Sequence, residues 1–262
     1  MSAPGLQAHL QEQRTRHRLV LPYVTAGISP DWLDLVEAVI DAGADAVEIG
    51  IPFSDPAIDG STIQEASVVA LDAGMTPAKA LSELREREFG VPLIAMTHAN
   101  LVYRYGYERF AADLVAAGGR GTILPDLPME HAEPWRTAAD PLGIDNVLLA
   151  APLTSDERLK RIASESRGFV YVVSTMGTTG ARDDVDDAAT VLARRVKEVA
   201  DLPAIVGFGI SNGETAVTAA AESDGVICAS ALMRRILDGG SIEETAAIVG
   251  EIRTALDAAY AS

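Results

Sequence analysis

Residues 45–60 read Asp45-Ala-Val-Glu-Ile-Gly-Ile-Pro-Phe-Ser-Asp-Pro-Ala-Ile-Asp-Gly60. The first part, Ala46–Ile51, is an apolar run that predicts a buried strand with one carboxylate, Glu48, at its centre. Burying an ionised group is costly unless the group is paired or takes up a proton. The loop that follows the strand adds Asp55 and Asp59. The stretch indicates an acid/base site if these acids converge on one pocket, where different surroundings can set their pKa values apart. A glutamate capped by backbone amides, followed by an ordinary turn, is the alternative.

The rest of the chain repeats one order of elements: a short apolar strand, a glycine or proline turn, and an amphipathic helix. Ser29-Pro-Asp31 precedes one such helix, Trp32–Ala42, because serine can cap a helix and proline suits its first turn. Alanine–glycine or leucine–glycine pairs mark helix ends, at Gly43, Gly74, Gly118 and Gly143. Seven further strands are predicted, at Leu19–Val24, Leu93–Met96, Gly121–Leu124, Asn146–Ala150, Phe169–Val173, Ala204–Val206 and Gly225–Cys228.

Strands that alternate with helices, without a linker or a break in composition, predict one parallel sheet covered on its outer face. Their even spacing favours closure into a single (β/α)8 TIM barrel, one domain over residues 1–262. A short extra helix is expected at the N-terminus, around Leu6–Thr15. An open doubly wound sheet is the alternative. In a (β/α)8 barrel the active site lies at the C-terminal ends of the strands, and the polar stretches of this sequence follow predicted strands.

The composition limits the possible classes of function. Of the 262 residues, 48% are apolar, and the formal net charge is −17. Such acidity argues against nucleic acid or an anionic membrane as a partner. No apolar run reaches the roughly 18 residues of a membrane span, and the N-terminus does not read as a secretory signal. The one cysteine, Cys228, allows no disulfide within the chain. We therefore expect a cytoplasmic protein.

Glycines and hydroxyl-bearing residues follow the last three predicted strands. Gly177-Thr-Thr-Gly180 follows the sixth strand, Gly207-Phe-Gly209 and Ser211 follow the seventh, and Ala229-Ser230 opens a helix after the eighth. In this fold, such loops and a helix N-terminus commonly bind phosphate through backbone N–H groups. Tight turns also need glycine, but three adjacent strand ends favour phosphate.

The sequence does not place the residues that several other catalytic mechanisms need at the predicted strand ends. The three lysines lie in predicted helices rather than at strand ends, so a Schiff base lacks its amine. Cys228 lies within a predicted strand and is more typical of a core residue than of a nucleophile. The histidines show no paired spacing that would hold a catalytic metal, at His9, His17, His98 and His131. What remains is proton transfer by carboxylates on a phosphorylated small-molecule substrate.

Several of these stretches together resemble one known protein family. Val47–Gly60 resembles the signature of the tryptophan synthase alpha chain family. The likeness extends over nearly the whole chain, through Leu21–Gly27, Thr62–Gln64, Pro125–Pro128, Gly177–Gly180 and Gly207–Ser211 to the last helix. The resemblance implies a (β/α)8 barrel that cleaves indole-3-glycerol phosphate by a retro-aldol reaction into indole and glyceraldehyde 3-phosphate. It also implies an alpha-beta-beta-alpha assembly with a beta chain that holds pyridoxal phosphate and makes tryptophan, and no cofactor in this chain.

The resemblance further implies roles for individual residues. Glu48 would be the main acid/base, and Asp59 would hold the indole N–H and balance the positive charge that develops on the ring. The indole pocket would be lined by Tyr23, Ile123, Tyr171, Phe208 and Ile227, with Thr179 at its phosphate side. The phosphate would be bound by Gly180, Gly209 and Ser230. The beta chain would be met by Asp55, Pro56, Asn100 and Pro128.

The sequence departs from the family pattern at a few positions. Ser61 stands where proline is usual, His98 where tyrosine is common, and Ala229 where glycine is usual. Ile28-Ser-Pro30 replaces the common Asp-Pro. Both acids are kept, so these departures are interpreted as tuning.

Three other functions stay open at this stage: a stand-alone lyase that releases free indole, a partner-activating subunit with weak catalysis of its own, and, more remotely, a phosphosugar isomerase. The segment Gly177–Asp187 is expected to be a loop that closes over the site.

Overall fold

The computed structural model describes residues 5–56, 58–173 and 183–261, with side chains described from 188 onward in the last range. Eight strands form a closed parallel barrel in chain order, and β1 pairs with β8 to complete it. This confirms the predicted (β/α)8 barrel. The strands are β1 (Leu19–Thr25), β2 (Val47–Gly50), β3 (Leu93–Met96), β4 (Gly119–Ile123), β5 (Asp145–Ala150), β6 (Val170–Val172), β7 (Ala204–Val206) and β8 (Gly225–Cys228).

The described residues form twelve α-helices, more than one per strand. Two helices follow each of β2, β3 and β8. The repeating order of one strand, one turn and one helix did not predict the second helix. The helices are α1 (Leu6–Gln13), α2 (Trp32–Asp41), α3 (Ser61–Asp72), α4 (Pro77–Leu84), α5 (Ala99–Tyr105), α6 (Tyr107–Ala116), α7 (Glu133–Ala139), α8 (Asp156–Glu165), α9 (Asp183–Val199), α10 (Gly213–Ala219), α11 (Ser230–Leu237) and α12 (Ile242–Tyr260). Short 3₁₀ turns lie at Met129–His131 and Asp140–Leu142.

The helix-boundary predictions have mixed outcomes. Glycine ends a helical segment at each of the four predicted positions, with φ between 71° and 107°. The N-cap of α2 is Asp31 rather than Ser29, whose carbonyl accepts a hydrogen bond from the Trp32 N–H at 3.3 Å. The predicted loop Gly177–Asp187 was too long, because α9 already begins at Asp183. The remainder of that loop lies outside the described residues.

The extra N-terminal helix α1 closes the bottom of the barrel. Leu6 and Leu10 are fully buried among residues that point into the barrel from β1, β4 and β6. A side chain at Gly121 or Gly168 would collide with Leu6, so these two glycines make room for it. The Gln7 N–H donates to the Asp145 carboxylate at 2.8 Å, which ties α1 to the start of β5. The N-terminal face is therefore packed shut, and the opposite face is left for a site.

We expect Leu6→Ala to lower the free energy of unfolding by roughly 2–5 kcal/mol, because the truncation leaves a cavity at the barrel floor. Urea unfolding of the isolated chain measures it. Leu153→Ala is the matched control, since Leu153 is 80% exposed and its loss should change stability by no more than about 0.5 kcal/mol. Equal effects of the two substitutions would contradict the role given to α1.

None of the described helices combines the length and the apolar character needed to cross a membrane.

Candidate active site

Glu48 lies inside the barrel. In the strand register it is level with Tyr23 of β1 and Ile94 of β3, and its side chain is 0% exposed. Neither carboxyl oxygen has a hydrogen-bond partner among the described residues. The alternative of a glutamate capped by backbone amides is therefore wrong. Burial raises the pKa of Glu48 to about 8, so the carboxyl holds a proton at neutral pH. A buried group poised in this way can both donate and accept a proton.

Two buried tyrosines stand near Glu48, one on each side of the barrel. Any side chain at Gly50 would collide with the Tyr23 hydroxyl, and any side chain at Gly207 would collide with that of Tyr171. These glycines thus leave room for the phenol groups at the mouth. The Tyr171 hydroxyl donates to the Gly207 carbonyl at 3.3 Å. Burial, followed by the nearby acidic charges of Glu48 and Asp59, raises the pKa of Tyr171 well above its ordinary value.

Asp59 sits on the loop after β2 and is partly buried. Burial raises the pKa of its carboxyl, and the charge of His98 opposes that shift. The carboxylate faces a hollow at the C-terminal ends of β1 to β4. Its lining residues are Tyr23, Ile51, Phe53, Asp59, Ser67, Met96, Thr97, His98 and Pro125.

The Asp59 loop is fastened from α3, a feature that the sequence analysis missed. The Gln64 side chain donates to the carbonyl of Asp59 at 2.9 Å and to that of Pro56 at 3.3 Å. The Asp59 N–H also donates to the Pro56 carbonyl at 3.1 Å. A glutamine one turn into a helix that follows an acidic loop is the only sequence signal, and it is a weak one.

The expected phosphate residues lie at the ends of neighbouring strands. Gly209 follows β7 with φ of +75°, a conformation that favours glycine, and Ser230 is the first residue of α11 after β8. No side chain caps the N-terminus of α11, whereas Asn212 caps α10. The free backbone N–H groups of α11 are therefore suited to an anion. Thr179 and Gly180 lie outside the described residues.

The remaining pocket residues divide into two groups. Ile123 and Ile227 are buried in the barrel interior together with Tyr171. Phe208 is 47% exposed and lines a different hollow, between α9 and α10. A side chain at Gly207 would meet the Tyr171 hydroxyl inside the barrel, whereas Phe208 lies on the other side, against α9 and α10. In this structure Phe208 is not a wall of the hollow at Asp59, and its place in an indole pocket stays a prediction.

The residues expected to meet a partner lie on the surface at the same end of the barrel. Asp55, Asn100 and Pro128 are exposed and Pro56 is half-buried, in the segments that follow β2, β3 and β4. The exposed Tyr103, one turn beyond Asn100 in α5, adds an apolar surface that the sequence analysis did not single out.

Neither the cysteine nor the lysines line the hollow at Asp59. Cys228 is buried in β8, and burial raises its pKa to about 12, which leaves the thiol protonated. The lysines lie in α4, α8 and α9. Within the described ranges no three histidine, cysteine or acidic side chains are grouped to hold a metal ion.

Fold and site together define a class of protein: a (β/α)8 barrel with a buried, unpartnered carboxyl inside its mouth and a second carboxyl on the adjoining loop. The family model described as the tryptophan synthase alpha chain matches residues 8–258. The chain is 43% identical over 246 residues to a tryptophan synthase alpha chain of Thermobifida fusca, covering 91% of each. It is 46% identical over 224 residues to that of Mycobacterium marinum, covering 84% of this chain and 83% of the relative. A solved structure of Mycobacterium tuberculosis tryptophan synthase superposes with a TM-score of 0.89 at 37% identity, over 97% of this chain and 98% of the other.

The chain belongs to the tryptophan synthase alpha chain family. The resemblance found in the sequence is thereby confirmed, and with it the assignment to the carbon–carbon lyases.

Proposed function

We propose that this chain cleaves indole-3-glycerol phosphate into indole and glyceraldehyde 3-phosphate, with Glu48 as the acid/base and Asp59 as the balancing carboxylate. The observation that carries the proposal is the buried, unpartnered Glu48 carboxyl, whose pKa is raised to about 8. No structural or capping role accounts for a group buried at that cost.

The reaction needs two proton transfers. Glu48 gives its proton to the indole ring carbon that carries the glycerol chain, which leaves a positive charge on the ring. The adjacent hydroxyl of the chain then loses its proton to the Glu48 carboxylate and becomes the aldehyde carbonyl. The carbon–carbon bond breaks, its electron pair restores the aromatic ring, and Glu48 is protonated again. Asp59, as a carboxylate, accepts a hydrogen bond from the indole N–H and stabilises the cationic ring.

The phosphate group of the substrate would bind at the C-terminal ends of β6, β7 and β8. Backbone N–H groups at Gly209 and at the uncapped N-terminus of α11, near Ser230, support this placement. Gly180 and Thr179 complete the proposed site from the segment after β6. Because backbone N–H groups would bind the phosphate, the site needs no cluster of lysine and arginine side chains, although the chain as a whole is acidic.

Gly209→Val should raise KM for the substrate about 10- to 100-fold, the cost of losing a hydrogen bond or two to a charged group. The valine strains the backbone at φ of +75° and crowds the approach of the phosphate. Gly239→Val is the matched control, because Gly239 has φ of +81° beyond the far end of α11. Steady-state kinetics measure both, and a KM raised equally by both would contradict the phosphate placement.

The surface at this end supports a beta chain as the partner. The exposed residues Asp55, Asn100 and Pro128, with the half-buried Pro56, adjoin the loop that carries Asp59. A partner pressing on Asp55 and Pro56 would stabilise the aimed position of Asp59 and raise the cleavage rate by shifting that population. The proposal includes an alpha-beta-beta-alpha assembly in the cytoplasm. Pyridoxal phosphate would be held by the beta chain, and this chain would carry no cofactor.

Indole release from indole-3-glycerol phosphate tests the proposal. The purified chain is assayed alone and with a tryptophan synthase beta chain, and the expected result is release in both arms with a faster rate in the second. A rate already maximal without the partner would favour the stand-alone lyase. Release only at a trace level in both arms would contradict the proposed function.

A further inference from the structure

His98 is a buried histidine whose outer ring nitrogen is unsatisfied. It lies between β3 and α5 at the N-cap position of that helix and is 9% exposed. Its Nε2 has no hydrogen-bond partner among the described residues. The Phe53 ring packs against the imidazole, with 4.6 Å between ring centroids and 35° between ring planes. The imidazole is therefore held in place by packing, while its Nε2 finds no partner in the part of the chain that the structure describes.

His98 lines the hollow that also contains Asp59. Both side chains line it, together with Tyr23 of β1. The neighbouring elements also carry Glu48 of β2, buried inside the barrel, and Arg104 in the last turn of α5. The exposed Asp55 lies on the loop after β2, and the exposed Asp126 follows β4. The Asp126 carboxylate is already occupied, since it accepts a hydrogen bond from the Ala99 N–H at 2.8 Å. In the described part of the chain, no donor reaches the Asp59 carboxylate.

A buried ring nitrogen and a nearby carboxylate, each without a partner among the described residues, can complete one another if the nitrogen carries its proton. We propose that His98 is a positioning residue for Asp59: its Nε2–H donates to the Asp59 carboxylate in the substrate-bound site, which keeps that carboxylate ionised and aimed at the ring N–H. This inference rests on the proposed function. It gives the histidine, which stands where the family commonly has tyrosine, a role in the reaction rather than in packing alone.

Electrostatics in the hollow agree with this pairing. Burial raises the pKa of Asp59, which works against the ionised form that the reaction needs, and the charge of His98 lowers it. A tyrosine at position 98 could donate a hydrogen bond but could not carry a positive charge. The histidine thus adds an electrostatic contribution that a neutral side chain cannot supply.

The direct test is a carbon-13 NMR titration of the Asp59 carboxyl in the chain saturated with indole and inorganic phosphate, which occupy the two ends of the proposed site. The signal is assigned by comparison with Asp59→Asn. His98→Phe keeps a ring to stack on Phe53 and removes both nitrogens. In that variant the pKa of Asp59 should rise by about one pH unit, the smaller end of the effect of an adjacent opposite charge. His131→Asn removes an exposed histidine from the 3₁₀ turn after β4 and should leave the pKa of Asp59 unchanged.

Kinetics supply a second readout that packing alone would not change. His98→Phe should lower kcat/KM for indole release about 10- to 100-fold, mostly through kcat, because Asp59 is no longer aimed. The loss should deepen toward acidic pH, where Asp59 takes up a proton. His98→Gln restores a neutral donor and should recover part of the rate; it also serves for both measurements if the phenylalanine variant does not fold.

An unchanged pKa of Asp59 in His98→Phe, or a loss of rate that is the same at every pH, would overturn the inference. A chain that releases no indole even when unaltered would contradict the proposed function instead. The titration would still decide whether His98 and Asp59 are paired.

Discussion

Replacing Glu48 by glutamine is expected to lower the rate of indole release by roughly 10²- to 10⁴-fold, the range attributed to general acid–base catalysis. Glutamine has nearly the same shape but cannot give up or take back the proton that each step needs. Substrate affinity should stay close to that of the unaltered chain, because the phosphate and the indole ring are held elsewhere. Single-turnover release of indole, together with a binding measurement for the substrate, separates these two effects.

Asp145→Asn is a fitting control for this substitution. Asp145 is also a partly buried acid with a raised pKa, mainly through burial, but it lies at the closed end of the barrel, where it binds the Gln7 N–H. Its amide variant should release indole at nearly the normal rate. A Glu48→Gln variant that kept near-normal turnover would overturn the mechanism, whatever Asp145→Asn does.

The same substitution should make the chain more stable in alkali. Between pH 4.5 and about 8 the unfolded chain loses the Glu48 proton while the folded chain keeps it. The folded state then binds more protons, so its stability falls as pH rises through this window and levels off above about 8. Glutamine removes that dependence. Relative to the unaltered chain, the free energy of unfolding of Glu48→Gln should gain roughly 5 kcal/mol between pH 4 and pH 9.

The comparison is best made as a difference between the two proteins, by urea unfolding at a series of pH values. The other shifted carboxyls, Asp59 and Asp145, then cancel because both chains carry them. The buried tyrosines stay protonated over this range because burial raises their pKa above the ordinary value of 10. A difference in stability that does not vary with pH would mean that Glu48 is ionised in the folded chain. A loss of activity together with a gain in stability at alkaline pH would show that the buried Glu48 carboxyl serves catalysis and lowers the free energy of unfolding.

Much of the fold could be predicted because strand and helix signals are local. Apolar runs located all eight strands to within two residues at each end, and glycine marked the helix ends. The position of Glu48 within a strand was likewise visible, since a lone acid in an apolar run is conspicuous. The doubled helices after β2, β3 and β8 were not foreseen, because a turn between two helices resembles any other turn.

The direction in which side chains point was harder to predict. Strands of a parallel barrel are buried on both faces, so their residues do not alternate between apolar and polar. Without that alternation the sequence did not show that Gly207 faces inward and Phe208 outward. The unsatisfied Nε2 of His98 and the hydrogen bonds of Gln64 were also hidden, because both depend on contacts between distant segments. That residues 1–262 form one domain stays a prediction.

The proposed mechanism depends on the proton that the folded chain keeps on Glu48, and a titration of this carboxyl measures that proton. Carbon-13 labelling of glutamate side chains, with Glu48→Gln to assign the signal, reports the protonation state of this one carboxyl in the isolated chain. We expect a carboxyl that stays protonated through neutral pH and loses its proton near pH 8. A carboxyl that titrates near its ordinary value of 4.5 would contradict the account.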